Sequence, residues 1–129
     1  MDFKDFKTVY AITAMQLNGY QLKKVIKVEA TAYDSCEICC GKTDGITKTG
    51  TKAKTNHTIA VDPEVIPLGS KVYIAELGII YTAEDTGGKI KGNKIDIFMS
   101  THEQAKQFGV KKLTAYVLEN GENNENLKL

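Results

Sequence analysis

Glu84-Asp85-Thr86-Gly87-Gly88-Lys89-Ile90-Lys91-Gly92-Asn93-Lys94-Ile95-Asp96-Ile97-Phe98 is the stretch on which the reading of this chain turns. Its two ends read as strands, and its glycine-rich middle reads as the turns between them. In residues 94–98, Ile95 and Ile97 point to one face, and Asp96 and Phe98 to the other. A carboxylate inside a strand is depleted relative to β-branched residues, so Asp96 needs a reason to be there. A solvated outer face is the ordinary reason; a working acid in a groove is the other. Asp85, just before Thr86-Gly87-Gly88, reads locally as a turn or cap residue. Asp62, in Ala60-Val61-Asp62-Pro63, reads as a turn former.

Outward from this stretch the same two-residue period recurs. From Val25, the residues Ile26, Val28, Ala30 and Ala32 alternate with Lys27, Glu29, Thr31 and Tyr33, as in a half-buried strand. Further strand-like runs fall at residues 57–61, 71–76, 79–84, 94–98 and 113–118, separated by Asp62-Pro63, Pro67-Leu68-Gly69 and Gly78. A loop rich in Gly, Thr and Lys spans residues 36–56 and contains Thr49-Gly50-Thr51. One helix interrupts the series, with Ser100 as its expected cap, Glu103 completing a capping box and Gly109 ending it. Six short strands with one small helix predict an all-β domain closed into a barrel, because closure removes the edges that short strands would expose. The domain is expected over residues 25–118. Residues 1–24 are expected to form an arm or amphipathic helix carrying Phe3, Phe6, Tyr10, Ala14 and Leu17, with Gly19 as its stop. Residues 119–129 read as a polar tail.

The bulk properties narrow the function. A chain of 129 residues suits one domain. With 17 Lys and Arg against 16 acids, the net charge of +1 gives no field for a polyanion, so nucleic acid is not an expected partner. No apolar run is long enough to predict a membrane span. The opening does not read as a signal peptide, since its weakly apolar stretch from Val9 to Met15 contains Thr13 and follows mixed charges. The three cysteines, Cys36, Cys39 and Cys40, are read as structural or incidental thiols. A disulfide, or a zinc site completed by His57, is the alternative that C-x-x-C spacing leaves open. No metal or cofactor is expected, and the domain is expected to be a monomer.

Residues 30–118 resemble the 3D domain family, named for three aspartates. The resemblance is carried by Thr31-Ala32-Tyr33, Thr49-Gly50, Ala60-Val61-Asp62-Pro63, Ile66-Pro67-Leu68-Gly69 and the whole of residues 84–98. That family is related to the catalytic barrel of a membrane-bound lytic transglycosylase and, more distantly, to expansins. The resemblance implies a six-stranded double-psi β-barrel that cleaves the MurNAc–GlcNAc bond of peptidoglycan glycan strands. It assigns Asp96 the acid/base role and makes Asp85 and Asp62 its acidic support. It also places Thr31, Tyr33, Thr49, Gly50, Gly87, Gly88 and Lys91 along the glycan. Action at the bacterial cell wall without a visible export signal implies a phage lysin, a virion component or a fragment of an exported protein.

Two other readings use the same residues. Expansin-like barrels keep the aspartate and the groove without lysing the wall, which would make this a non-catalytic glycan-binding module. Asp85-Thr86-Gly87 also spells the D-T-G of aspartic proteases, in which two aspartates share one proton. Against that, Glu84 stands where such a strand calls for an apolar residue, and Asp96 is left without a role. The transglycosylase reading uses neither thiol nor metal. Replacing Cys36, Cys39 and Cys40 together with Ser should therefore leave wall digestion within about twofold of the parent; unfolding on chelation, or zinc copurifying with the protein, would overturn this.

Overall fold

The computed structural model describes residues 19–34 and 45–119. Most of the expected N-terminal helix, the three cysteines and nearly all of the polar tail lie outside these residues. Along the chain come β1 (Gln21–Tyr33), β2 (Thr58–Val61), β3 (Lys71–Ile74), β4 (Ile79–Asp85), β5 (Lys94–Phe98), the helix α1 (His102–Phe108) and β6 (Lys111–Glu119). The six strands close into a barrel in the order β1-β5-β2-β4-β3-β6. The β1–β5 and β2–β4 pairs are parallel, and the other four are antiparallel. This is the all-β, six-stranded barrel with one short helix that the sequence predicts.

Alternation builds the core. Val28 and Ala30 of β1, Ile59 and Val61 of β2, and Val72 and Ile74 of β3 all point inward. Tyr81 and Ala83, Ile95 and Ile97, and Leu113, Ala115 and Val117 join them from β4, β5 and β6. Fully buried side chains such as Ile59 and Ile95 each contribute about 1.5–3 kcal/mol through removal from water. The complementary residues Thr31, Tyr33, Ala60, Asp96 and Phe98 are thereby left on the outside of the barrel wall. There Tyr33, Ala60 and Phe98 pack into a small cluster of their own.

Two differences from the sequence expectation have physical causes. β1 begins at Gln21, four residues before the expected strand, because it continues its antiparallel pairing with β6 down to Gln21↔Glu119. That extension is covered on its outer side by Tyr20, Leu22, Tyr73, Ala75, Tyr116 and Leu118. As a result β6 is buried on both faces and carries no polar alternation. The second difference is the helix cap. Thr101, in extended conformation, caps α1 by accepting a hydrogen bond from Gln104 N at 3.1 Å. Ser100 instead contacts the Gln104 side chain. The helix ends, as expected, at Gly109.

Since an N-cap hydroxyl is worth about 1 kcal/mol, Thr101→Ala should lower the denaturation free energy by that amount. Ser100→Ala should change it by no more than about 0.5 kcal/mol. Urea titrations of the two variants would decide which residue caps the helix.

Candidate functional site

The site is a row of residues running across four neighbouring strands. In register, Thr31 of β1 stands beside Asp96 of β5, Asp96 beside Ala60 of β2, and Ala60 beside Asp85 of β4. Strands lie about 4.8 Å apart, so the backbones of the two aspartates are separated by about 10 Å, with the Ala60 methyl between them. That small side chain leaves open a cavity of about 290 Å³. Tyr33, Ala60, Asp85 and Asp96 form its floor, and the turn from Thr86 to Ile90 forms one wall.

Strict alternation would not put Asp85 there. Tyr81 and Ala83 of the same strand point into the core, so a regular β4 would aim Asp85 inward as well. The register with β2 breaks between Ile59↔Ala83 and Ala60↔Asp85, leaving Glu84 as the extra residue of a β-bulge. A bulge of this kind re-aims the following side chain to the other face. Asp85 therefore joins Asp96 on the groove side.

The two carboxylates have different surroundings. Asp85 accepts three hydrogen bonds: from Tyr33 Oη to Oδ2 at 3.1 Å, and from Lys48 N and Thr86 N to Oδ1 at 2.9 and 3.0 Å. The Tyr33 ring is held edge-on against Phe98, with centroids 5.5 Å apart. Asp96 accepts from Thr31 Oγ1 to Oδ1 at 3.0 Å, its one hydrogen-bond partner among the described residues. Burial pushes the Asp96 carboxyl up to about 6, against the opposing effect of the Thr31 hydrogen bond and with help from the negative charge of Asp85. Asp96 is thus a carboxyl that keeps a transferable proton in mildly acidic solution. Asp85 is an acceptor fixed by its neighbours.

The other expected residues divide into neighbours of the cavity and supports away from it. Gly87 and Gly88 line it. At Gly87 a Cβ would meet Ile90 Cγ1 at 3.0 Å, so a side chain there would have to push the Ile90 side chain aside by a few tenths of an ångström. Thr49 and Gly50 lie beyond its rim, in a tight turn bridged by Ile46 and Lys52. That turn is tied to β4 by Thr49 N donating to Glu84 O at 3.1 Å and by the Lys48 bond to Asp85. Asp62 does not line the cavity. Its Oδ2 accepts from Gly92 N at 2.8 Å and its Oδ1 from Glu64 N at 3.0 Å, and these backbone donors hold its carboxyl below the usual range. Gly92 makes that clasp from φ +67°, a conformation that favours glycine. Lys91 neighbours Asp62 and stands with it outside the cavity, in the loop that crosses over β2 from β4 to β5.

Sequence reasoning passed over Ala60, Thr86, Lys89 and Ile90 as lining residues, and Glu84 as the bulge. A small residue in an apolar strand carries no local signal. The charge of Glu84 before Asp85 was the visible anomaly. Among the described residues no cluster of His, Cys, Asp or Glu has metal-binding geometry.

Fold and site together define an aspartate-lined groove on a closed mixed barrel. Residues 57–119 match the model of the 3D domain family, and the chain carries a 3D domain. It is 46% identical over 104 residues to the cell wall-binding protein YocH of Bacillus subtilis (strain 168), covering 78% of this chain and 35% of that protein. It is 41% identical over 95 residues to the SPbeta prophage-derived protein YorM of the same organism, covering 67% of this chain and 39% of YorM. The chain thus spans little more than a third of the length of either relative. The barrel also resembles the lytic transglycosylase MltA from Escherichia coli, with a TM-score of 0.50 and 20% identity over 58% of this chain and 27% of that one. At this identity the likeness is one of fold.

The raised proton affinity of Asp96 has a consequence for stability. Below pH 3.8 its carboxyl is neutral in the folded and unfolded states alike and shifts nothing. As pH rises through about 6, the folded protein must carry a charge that it holds less well than the unfolded chain does, so stability falls across that window. Asp96→Asn removes this penalty. The variant should be more stable than the parent at pH 7 by on the order of 2 kcal/mol, and no more stable at about pH 4. Denaturant midpoints at the two pH values measure it; an equal gain at both would show that the charge is not the cause.

Proposed function

We propose that the domain is a peptidoglycan lytic transglycosylase in which Asp96 acts alone as acid and then base. The observation that carries the reading is the contrast between the two groove carboxylates. Asp96 is half-buried, singly hydrogen-bonded among the described residues and holds its proton to about pH 6. Asp85 has hydrogen-bond donors on both oxygens.

In the proposed reaction the Asp96 proton passes to the glycosidic oxygen as the bond to the MurNAc anomeric carbon breaks. Positive charge develops on that carbon and the ring oxygen, and the nearby negative charge of Asp85 favours it. The Asp96 carboxylate then takes the proton of the sugar's own 6-hydroxyl, whose oxygen bonds to the anomeric carbon. A 1,6-anhydro ring closes and Asp96 is protonated again. Ordinary glycosidases need a second carboxylate to activate a water or attack the sugar. Here the 6-hydroxyl is tethered to the reacting ring and has the advantage of an intramolecular nucleophile. Asp62 supports the groove from outside, by clasping at Gly92 the β4–β5 crossover loop that forms its wall.

That one relative is a cell wall-binding protein favours a second reading, a non-catalytic module that uses the same groove to hold glycan. The prophage origin of YorM agrees with a phage setting, and the cell wall binding of YocH agrees with action at the cell wall.

Digestion of purified sacculi followed by mass spectrometry of the soluble products separates these readings. The parent should release muropeptides ending in 1,6-anhydroMurNAc, one water lighter than hydrolysed ends and unchanged by borohydride. Asp96→Asn should bind the sacculi as the parent does and release at least about a hundredfold less. Reducible MurNAc ends would mean that water attacks. Binding without any release from several wall types would leave the non-catalytic module.

A further inference from the structure

Glu84 is the residue that neither the alternation of β4 nor the proposed chemistry uses. It is 8% exposed, a carboxylate taken almost wholly out of water. Such a group is costly to bury without partners, so the partners it has are informative. Thr58 Oγ1, itself fully buried on β2, donates to Glu84 Oε1 at 2.7 Å. His57 Nε2 lies 3.4 Å from Oε2. Thr58 Oγ1 also accepts from Lys54 N at 2.9 Å, and the Glu84 carbonyl accepts from Thr49 N at 3.1 Å. The bulge residue is therefore tied by its side chain to β2, the strand it slips against, and by its backbone to the turn that supplies Lys48 N to Asp85.

We propose that Glu84 is a positioning residue whose carboxylate, clamped by Thr58, fixes the bulge and so turns Asp85 onto the groove face. Without the clamp, β4 has the regular register open to it. Glu84 would then stand opposite Ala60, and Asp85 would follow Ala83 toward the core. The clamp selects the slipped register because only there can Glu84 reach the Thr58 hydroxyl while Asp85 reaches Tyr33 and Lys48. The inference rests on the proposed function only in taking Asp96 as the working acid and Asp85 as the negative charge beside it. The protease comparison left Glu84 unexplained; the clamp accounts for a charged residue at that position.

The test reads the groove without substrate, by NMR titration of the Asp96 carboxyl carbon and the ring signals of Tyr33 in the intact chain. In Glu84→Ala the charge of Asp85 leaves the groove. The Asp96 midpoint should fall from about 6 by about half a pH unit, and the Tyr33 signals should move as the bond to Asp85 is lost. Thr58→Val, which keeps shape and removes the hydroxyl, should give the same two changes and carries the test if Glu84→Ala fails to fold. The double variant should shift Asp96 no further than either single one, as expected when both residues act through one contact. Glu84→Gln keeps an acceptor oxygen for Thr58 and should titrate like the parent. Folded Ala or Val variants with Asp96 and Tyr33 unchanged would overturn the clamp, as would a Gln variant that shifts as far as Ala. Because the titration needs no turnover, loss of the clamp inference and loss of the transglycosylase reading are separate results.

Discussion

A strand offers its side chains only two faces, in strict alternation, and the groove depends on one break in that rule. Thirteen inward residues of the six strands obey it and fill the barrel. Asp96 obeys it too, reaching the outer wall between Ile95 and Ile97. Asp85 reaches the same wall only through the slip of register at Glu84. Sheet geometry makes such a slip an all-or-nothing choice, because moving one residue along exchanges every face. A barrel can hold two carboxylates in one groove and an unbroken apolar core only if the slip is confined to the end of β4, past Ala83.

Three aspartates of identical chemistry become three different groups through their immediate surroundings. Asp62 meets two backbone amides at the surface and serves as a clasp. Asp85 meets a phenol and two amides and becomes a fixed acceptor. Asp96 meets one hydroxyl in a half-buried position, and keeps its proton. Proximity in sequence explains only part of this, the bonds from Glu64 N to Asp62 and from Thr86 N to Asp85. Asp62 and Gly92 lie thirty residues apart, and Lys48 and Asp85 thirty-seven, yet these pairs define the roles.

Most of the strands were legible because they carry their own alternation of apolar and polar residues, β2 and β6 being buried on both faces. The aspartate at position 96 was conspicuous because it breaks β propensity without breaking that alternation. The need to hide strand edges predicted that the strands close, and the family resemblance supplied what neither argument does, the expectation that residues 62, 85 and 96 act together. Contacts between distant segments were not legible. The bulge is invisible locally, since Glu84 and Asp85 read as a strand end followed by a turn. Ala60 looks like any small core residue until its neighbours across two strands are known. The extension of β1 to Gln21 was hidden because its cover comes from Tyr73 and Tyr116, far along the chain. The cap fell one residue late because Ser100 and Thr101 are both competent by type, and they differ in which hydroxyl receives the Gln104 amide.

The pairing of β1 with β6 brings Gln21 alongside Glu119. The two ends of the described barrel therefore share one corner, while Thr31 and Asp96 sit ten residues further up β1, a contour of about 33 Å along an extended strand. Neighbouring segments spliced at that corner would meet the barrel at a single point and leave the far end unobstructed. Such a unit behaves like a plug-in cartridge: it can be carried inside proteins of different length without its groove being rebuilt. The relatives, each more than twice as long as the segment they share with this chain, are built in a way that this geometry permits.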